Sequence, residues 1–200
     1  MRLQLEEKDK RLIKGPIREL RNTAELIANV RNIQRLEADR NKGEMVDICH
    51  VLEEIKKEYE HLPGREAGIT LSQECTGPMY ASNLLKDAFG NIVSNAIKHA
   101  TGPVQIGIVS RPEPHEGIAH IRVSIEDNGP GIPDELKERV FERSMRGDTK
   151  VTGQGLGLYL VKRLVEDQDG KVWVVDRIAG DHTKGARFVV LLRTAPAVAS

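Results

Sequence analysis

Two glycine-bearing segments constrain this chain more than anything else in it. "DNGPGIP" (Asp127–Pro133) closes a run of alternating apolar residues, and "GQGLGLYLV" (Gly153–Val161) opens a run with helical spacing. Glycine opens backbone dihedrals closed to other residues, so clusters at a strand's end and a helix's start let a main chain approach a ligand. The first turn of a helix also carries unpaired N–H groups and the positive end of the dipole, which together attract an anion. The second segment is neither of the two common phosphate loops. A GxGxxG match begun at Gly153 would need glycine where Leu158 stands, and no GK[ST] follows.

The surrounding pattern fits a sheet with helices stacked on it. "GITLS", "VQIGIVS", "HIRVSIE", "KVWVVD" and "RFVVLL" are rich in β-branched residues and bounded by Gly, Pro or charge clusters, as strands are. Helical stretches fall at Asn83–Ala100, Pro133–Arg143 and Gly157–Asp167, with another over "VDICHVLEEIKKEYEHL" ended by Pro63-Gly64. The expectation is an α+β fold: a two-layer sandwich with a mixed sheet of about five strands covered by helices. Ahead of it, Ile17, Leu20, Ala24, Ile27, Val30, Ile33 and Leu36 recur at steps of three and four. This predicts an amphipathic helix from about Ile17 to Arg40, begun after Gly15-Pro16, whose stripe is expected to pack on a partner helix. The division expected is a helical arm over 1–42, a compact domain over 43–193 and a frayed tail over 194–200.

Bulk properties exclude several partners. The 30 basic and 30 acidic side chains cancel, so no global field favours nucleic acid or an anionic membrane. No apolar run approaches the roughly 18–20 residues of a membrane span, and the N-terminus is charged where a signal peptide would be apolar. A cytoplasmic location follows as the expectation, including as the cytoplasmic part of a larger sensor. Cys49 and Cys75 form neither a CxxC motif nor a disulfide framework, and both read as reduced thiols.

Three constellations carry chemistry. In "FGNIVSNAIKHA", a helix places Asn91 and Asn95 one turn apart, with Lys98 and His99 a turn further on. Carboxamide oxygens are neutral hard ligands suited to Mg²⁺, which is usually shared between protein and substrate phosphates. The same strip also describes a solvated helix face. Asp127 stands just past the alternating strand, where a carboxylate can accept from an exocyclic amine such as that of adenine. Gly129 and Gly131 would let a flat ring near the main chain, although a strand-ending turn capped by Asp127 uses the same residues. The loop at Gly153 then supplies the anion site.

In this order, the three elements resemble the GHKL superfamily of ATP-binding domains, and most closely the catalytic domain of sensor histidine kinases. "NIVSNAIKHA" is similar to that family's asparagine box, "DNGPGIP" to its first glycine box, "VFERSMRG" to its phenylalanine box and "GQGLGLYLV" to its second glycine box. Upstream, "LIANVRNIQRLEADRNKGEMVDICHVLEEI" resembles the second helix of the dimerisation hairpin and its entry into the catalytic domain, so the likeness covers roughly 17–193. The resemblance implies ATP and Mg²⁺ as cofactors. Asp127 would take the adenine amino group, with Gly129, Gly131 and Ile132 beside the ring. Asn95, helped by Asn91, would hold Mg²⁺, and Lys98 and His99 would contact phosphates or the nucleotide edge. Gly153, Gly155, Leu156, Gly157 and Leu158 would line the phosphates, and residues from about Asp134 to Thr152 would form a mobile lid. Arg146 or Lys150 in that lid would neutralise charge on the transferring phosphoryl group, a reaction in which positioning and electrostatics dominate.

Two departures refine what the resemblance implies. The ATPase branches of the superfamily carry a Glu general base one turn before the magnesium Asn; here that position is Asn91, which cannot accept a proton at neutral pH. A kinase awaiting an external nucleophile fits better. No histidine precedes His50, and His50 and His61 read as surface or packing residues, so the acceptor histidine is expected outside this chain. Ser144 stands where the phenylalanine box usually has another aromatic. The implied partners are ATP, an acceptor-histidine helix, a response regulator and, in the intact protein, a second copy. The alternatives are a serine kinase of the anti-sigma-factor type, a nucleotide-sensing dimerisation module without turnover, and a weak ATPase.

Overall fold

The computed structural model describes residues 43–61, 67–74, 77–142 and 156–194, together with 15, 16, 20, 23, 24, 27–32, 34 and 35 of the arm. The elements in chain order are β1 (Glu44–Val46), α1 (Ile48–Glu60), β2 (Ala67–Gln73), β3 (Met79–Ala81), α2 (Leu85–His99), β4 (Val104–Pro112), β5 (His120–Asp127), α3 (Leu156–Glu166), β6 (Lys171–Ile178) and β7 (Asp181–Arg193). All five expected strands form one sheet in the order β2-β4-β5-β7-β6. Its β2–β4 pair is parallel; β4–β5, β5–β7 and β6–β7 are antiparallel. The fold is therefore the expected mixed α+β sandwich.

One face of the sheet makes the core. Ile106, Ile108, Ile121, Val123, Ile125, Phe188, Val190 and Leu192 meet Leu52, Ile55, Phe89, Ile92, Val93, Leu160 and Leu164 of the helices, all buried. Removing a side chain such as the fully buried Phe89 would cost about 3–5 kcal/mol. The opposite face is sealed by its own side chains. Val189 and Leu191 are buried there, with the Arg122 guanidinium 5.8 Å from the Trp173 ring centre. Glu113 accepts from Arg122, and Glu126 accepts from Arg187 at 2.9 Å.

Helix ends follow their local chemistry. Asp47 caps α1 by accepting from the Cys49 and His50 N–H groups. Ser82 accepts from Leu84 N–H ahead of α2, whose last turn carries Lys98 and His99 where cations complement the dipole.

Several expectations change. The sequence pattern predicts a helix over Pro133–Arg143; its described part instead makes two short 3₁₀ turns, Asp134–Leu136 and Arg139–Phe141. The cause is tertiary, because Phe141 is buried edge-on to Phe188 at 6.1 Å and Lys137 binds Asp176 of β6. A two-stranded ribbon pairs β1 with β3, with Tyr80 Oη accepting from Gly43 N–H at 3.0 Å. Cys49 is disulfide-bonded rather than a free thiol; Cys75, the chain's other cysteine, lies outside the described residues. Folding brings the end of β2 to the start of α1, where Gln73 Nε2 donates to Cys49 O at 3.3 Å, a proximity that spacing in sequence does not reveal.

The described arm residues between 15 and 35 are helical. Leu20, Ile27 and Val30 of its stripe are 70%, 55% and 42% exposed, whereas Asn29 and Asn32 are buried. Asn32 and Arg35 approach Asp87 in the first turn of α2. The arm thus meets the domain with a polar edge and leaves its apolar stripe outward. Thr194 still hydrogen-bonds Ala119 O through its backbone and hydroxyl, and residues 195–200 of the expected tail lie outside the described set. No helix among the described residues is long and apolar enough to cross a membrane.

Candidate functional site

Strand alternation places Asp127 at the end of the core-facing row Ile121, Val123, Ile125. Its carboxylate therefore points toward the helix layer, although it is charged and only 8% exposed. Such burial needs donors. Gly129 N–H donates to Asp127 Oδ1 at 2.7 Å, and Ala186 N–H donates from β7. Burial still raises the carboxyl above its ordinary value; the two N–H donors, Arg177 and His99 pull the other way without cancelling it.

The following loop is fixed by close backbone contact together with a few side-chain hydrogen bonds. Gly131 has φ of 67°, and a Cβ there would lie 1.5 Å from the His182 carbonyl oxygen. Gly185 on β7 has φ of 112°, and its Cβ would fall 1.9 Å from the Asp127 carbonyl oxygen. Both positions therefore demand glycine on conformational and steric grounds. Asn128 ties the loop to β4: its Oδ1 accepts from Gln105 N–H at 2.9 Å and its Nδ2 donates to Pro103 O at 3.0 Å. Ile132 packs against the core edge.

The second wall comes from two helices. Ile92, Val93, Ala96 and Ile97 bury one face of α2, leaving Asn91, Asn95 and Lys98 at its partly exposed side and His99 exposed. At the start of α3, Gly157 lies so close to Asn91 that a Cβ would sit 3.2 Å from Asn91 Oδ1. The amino end of α3 and the asparagine-bearing helix thus meet at Asn91, with Leu156 and Leu158 in the same first turn. His99, at the far end of α2, lies near enough to Asp127 for their charges to interact. Loss of solvation first, then Lys98, lowers its affinity for a proton, while Asp127 works the other way.

The structure therefore brings Asp127, Gly129, Gly131, Ile132 and His99 to one end of the sheet, and Asn91 to Gly157. Arg146, Gly153 and Gly155 lie outside the described residues. Sequence reasoning does not single out Gly185 and Ala186. A signal is nonetheless present, since an isolated glycine inside a strand often marks close approach of another backbone. No cluster of three acidic, His or Cys side chains suited to a metal occurs among the described residues. A cation here would meet carboxamide oxygen from Asn91 and Asn95, a neutral donor set that suits Mg²⁺ when the anionic ligands belong to phosphates.

A buried carboxylate, glycine backbone and helix ends at one edge of a two-layer sandwich define a nucleotide-binding class of protein. The family model for histidine kinase-, DNA gyrase B- and HSP90-like ATPases matches residues 81–196, more than half of the sequence, and the chain belongs to that family. Sensor histidine kinase AruS of Pseudomonas aeruginosa is 38% identical over 108 residues, covering 52% of this chain and 11% of its own length. The signal transduction histidine-protein kinase/phosphatase MprB of Mycolicibacterium paratuberculosis is 30% identical over 172 residues, 84% of this chain and 32% of that protein. Among solved structures, full-length ShkA in complex with AMPPNP superposes with a TM-score of 0.66 at 26% identity, covering 98% of this chain and 41% of that one. This chain spans only about a tenth to a third of these curated relatives.

Proposed function

We propose that this chain is the ATP- and Mg²⁺-binding catalytic part of a histidine kinase, transferring the γ-phosphoryl group to a histidine outside the chain in two-component signalling. The observation that carries the reading is Asp127: a buried carboxylate held by backbone N–H groups beside a loop that must be glycine. A charge so costly to bury is explained by a ligand amine that it accepts from.

Asp127 takes the adenine amino group, with Gly129 and Gly131 against the ring and Ile132 as its apolar support. Asn95 and Asn91 hold Mg²⁺, which neutralises charge on the triphosphate when bound. Lys98 and His99 reach phosphates or the nucleotide edge, and the N–H groups of Gly153, Gly155, Leu156, Gly157 and Leu158 orient the tail. Arg146 offsets negative charge on the phosphoryl group in transit. An imidazole nitrogen of the acceptor attacks the γ-phosphorus, the bond to the β,γ-bridging oxygen breaks, ADP leaves, and the imidazole N–H proton passes to solvent. Asn91 supplies no base for water, which favours transfer over hydrolysis. His50 and His61 are both exposed, and His50 sits 3.7 Å from Glu54 on its own helix, in keeping with surface roles.

The arm over 1–42 belongs on this reading to a dimerisation hairpin, the domain over 43–193 to catalysis in the cytoplasm, and a response regulator receives the phosphoryl group. The test supplies the acceptor helix in trans with labelled ATP. Acid-labile phosphohistidine is expected. Nucleotide binding without phosphohistidine overturns the kinase, and acid-stable phosphoserine on a partner would replace it with the serine-kinase reading.

A further inference from the structure

The loop from Gly129 to Pro133 is pinned upstream by Asp127 and Asn128 and at its centre by Gly131. Downstream of Pro133 it enters the two 3₁₀ turns, which have no place in the sheet. Two side chains hold them there. Phe141 docks on Phe188, and Lys137 reaches from the first turn to carboxylates on both sides. It binds Asp134 within its own turn and Asp176 Oδ1 on β6 at 2.5 Å. The Lys137 and Asp176 side chains are only 17% and 12% exposed, while Asp134 is 82% exposed. The Lys137 side chain is thus mostly covered along its length, and its ammonium bridges an exposed carboxylate of its own turn and a sheltered one from the sheet.

We infer that Lys137 and Asp176 form a positioning pair for nucleotide binding, fixing the exit of the Gly129–Pro133 loop against β6. This rests on the reading that the loop receives adenine. Neither residue touches the ligand in this account. Lys137 lies four residues beyond Pro133 along a tight turn, so its anchor sets the direction in which the chain leaves Ile132, while Gly131 is held by its own backbone contact. Without the Lys137 anchor, this stretch loses its ionic tie to β6, and the loop must be ordered when the nucleotide arrives. Methionine at 137 takes the ammonium away from Asp176, asparagine at 176 leaves Lys137 bound to Asp134 within its own turn and no longer by charge to the sheet, and Arg at 137 keeps a donor for both carboxylates.

Calorimetric titration of the full chain with ADP and with Mg²⁺–ATP tests the pair in Lys137→Met, Asp176→Asn, the double variant and Lys137→Arg. Each single variant should bind ADP about three- to tenfold more weakly, and the double variant no more weakly than the worse single, as residues acting as one unit do. Thermal midpoints should move by less than about 3 °C, and Lys137→Arg should bind within about twofold of the unaltered chain. The loss should be equal for ADP and ATP, since the anchor serves the adenine side. Unchanged ADP affinity, a loss confined to ATP, or a loss that tracks unfolding would each overturn the pair. Failure of the unaltered chain to bind ADP overturns the adenine reading and the pair together. Binding that is lost in Asp127→Asn but intact in Lys137→Met overturns the pair alone.

Discussion

The two walls of the candidate site are built by opposite means. The wall proposed to take adenine is backbone against backbone: Gly131 on the His182 carbonyl, Gly185 on the Asp127 carbonyl, and Gly129 and Ala186 N–H groups on one carboxylate. Nothing there can move far without breaking the sheet. The phosphate-side wall is side chain against helix end, with Asn91 beside Gly157 and Lys98 and His99 at the last turn of α2. Changes to the glycines of the first wall should therefore damage fold and binding together, while changes to the second should leave the fold intact.

The largest effect is expected at Gly131→Ala. It combines a left-handed backbone with a methyl group placed inside the contact distance of a carbonyl, so the chain must move. A loss of about 2–4 kcal/mol is expected by chemical denaturation, from overpacking and backbone strain together. Full stability with intact nucleotide binding would show that this wall is softer than its contacts imply.

Asp127→Asn separates fold from function within the same wall. A carboxyl whose pKa is raised on folding holds its proton more tightly in the folded state, so its stabilising contribution is full below the unfolded pKa and is lost as pH rises through the folded one. At neutral pH the ionised group is a liability to the fold. Asparagine keeps an acceptor for Gly129 and Ala186 without the charge. The thermal midpoint should hold or rise at pH 7, and the advantage over the unaltered chain should vanish on acidification. Affinity for ADP should nonetheless fall about 10- to 100-fold, the scale of a hydrogen bond to a charged group. A variant that melts lower and binds normally would contradict both halves.

The same contrast governs what can be read from sequence. All five strands and the helices at α1, α2 and α3 are legible, because each carries a long β-branched or three-four pattern that its burial then uses. Asp127, Gly129 and Gly131 are legible as a tight turn because two glycines at a strand's end serve little besides such a turn or a close approach. Gly185 does not stand out, since its partner, the Asp127 carbonyl, is distant in sequence. "DELKERV" reads as helix, and its diversion into 3₁₀ turns depends on Asp176 and Phe188, which are equally remote. The arm teaches a related point. Periodicity tells that Leu20, Ile27 and Val30 share a face, but that Asn32 turns inward depends on Asp87, which is remote in sequence.

On the phosphate side, Gly157→Ala should reverse the usual balance between stability and binding. Alanine in a helix is favoured over glycine by up to about 1 kcal/mol, so the fold should be slightly stabilised. The methyl group would nevertheless press on Asn91 Oδ1 and displace it by a few tenths of an ångström. Binding of Mg²⁺–ATP should weaken about three- to tenfold with ADP in chelator little affected, because only the metal-bearing tail meets Asn91. Equal losses for both ligands would move Asn91 out of the phosphate wall.

The smallest effect is expected at His99, where the two walls meet. Its pKa is lowered on folding, chiefly by lost solvation and then by Lys98, so the folded chain binds the proton less readily than the unfolded one. Stability therefore falls as pH drops through the ordinary histidine value toward the folded one, opposite in sign to Asp127. His99 as a whole stays exposed although its ring has lost part of its solvation, which keeps the effect small. His99→Gln should flatten the decline of the thermal midpoint between about pH 7 and 5.5 by about a degree, measured beside the unaltered chain at fixed ionic strength. A steeper decline in the variant would mean that the protonated ring is stabilised by Asp127 more than it is opposed by Lys98 and burial, and that the carboxylate at the end of β5 is already paired before any nucleotide arrives.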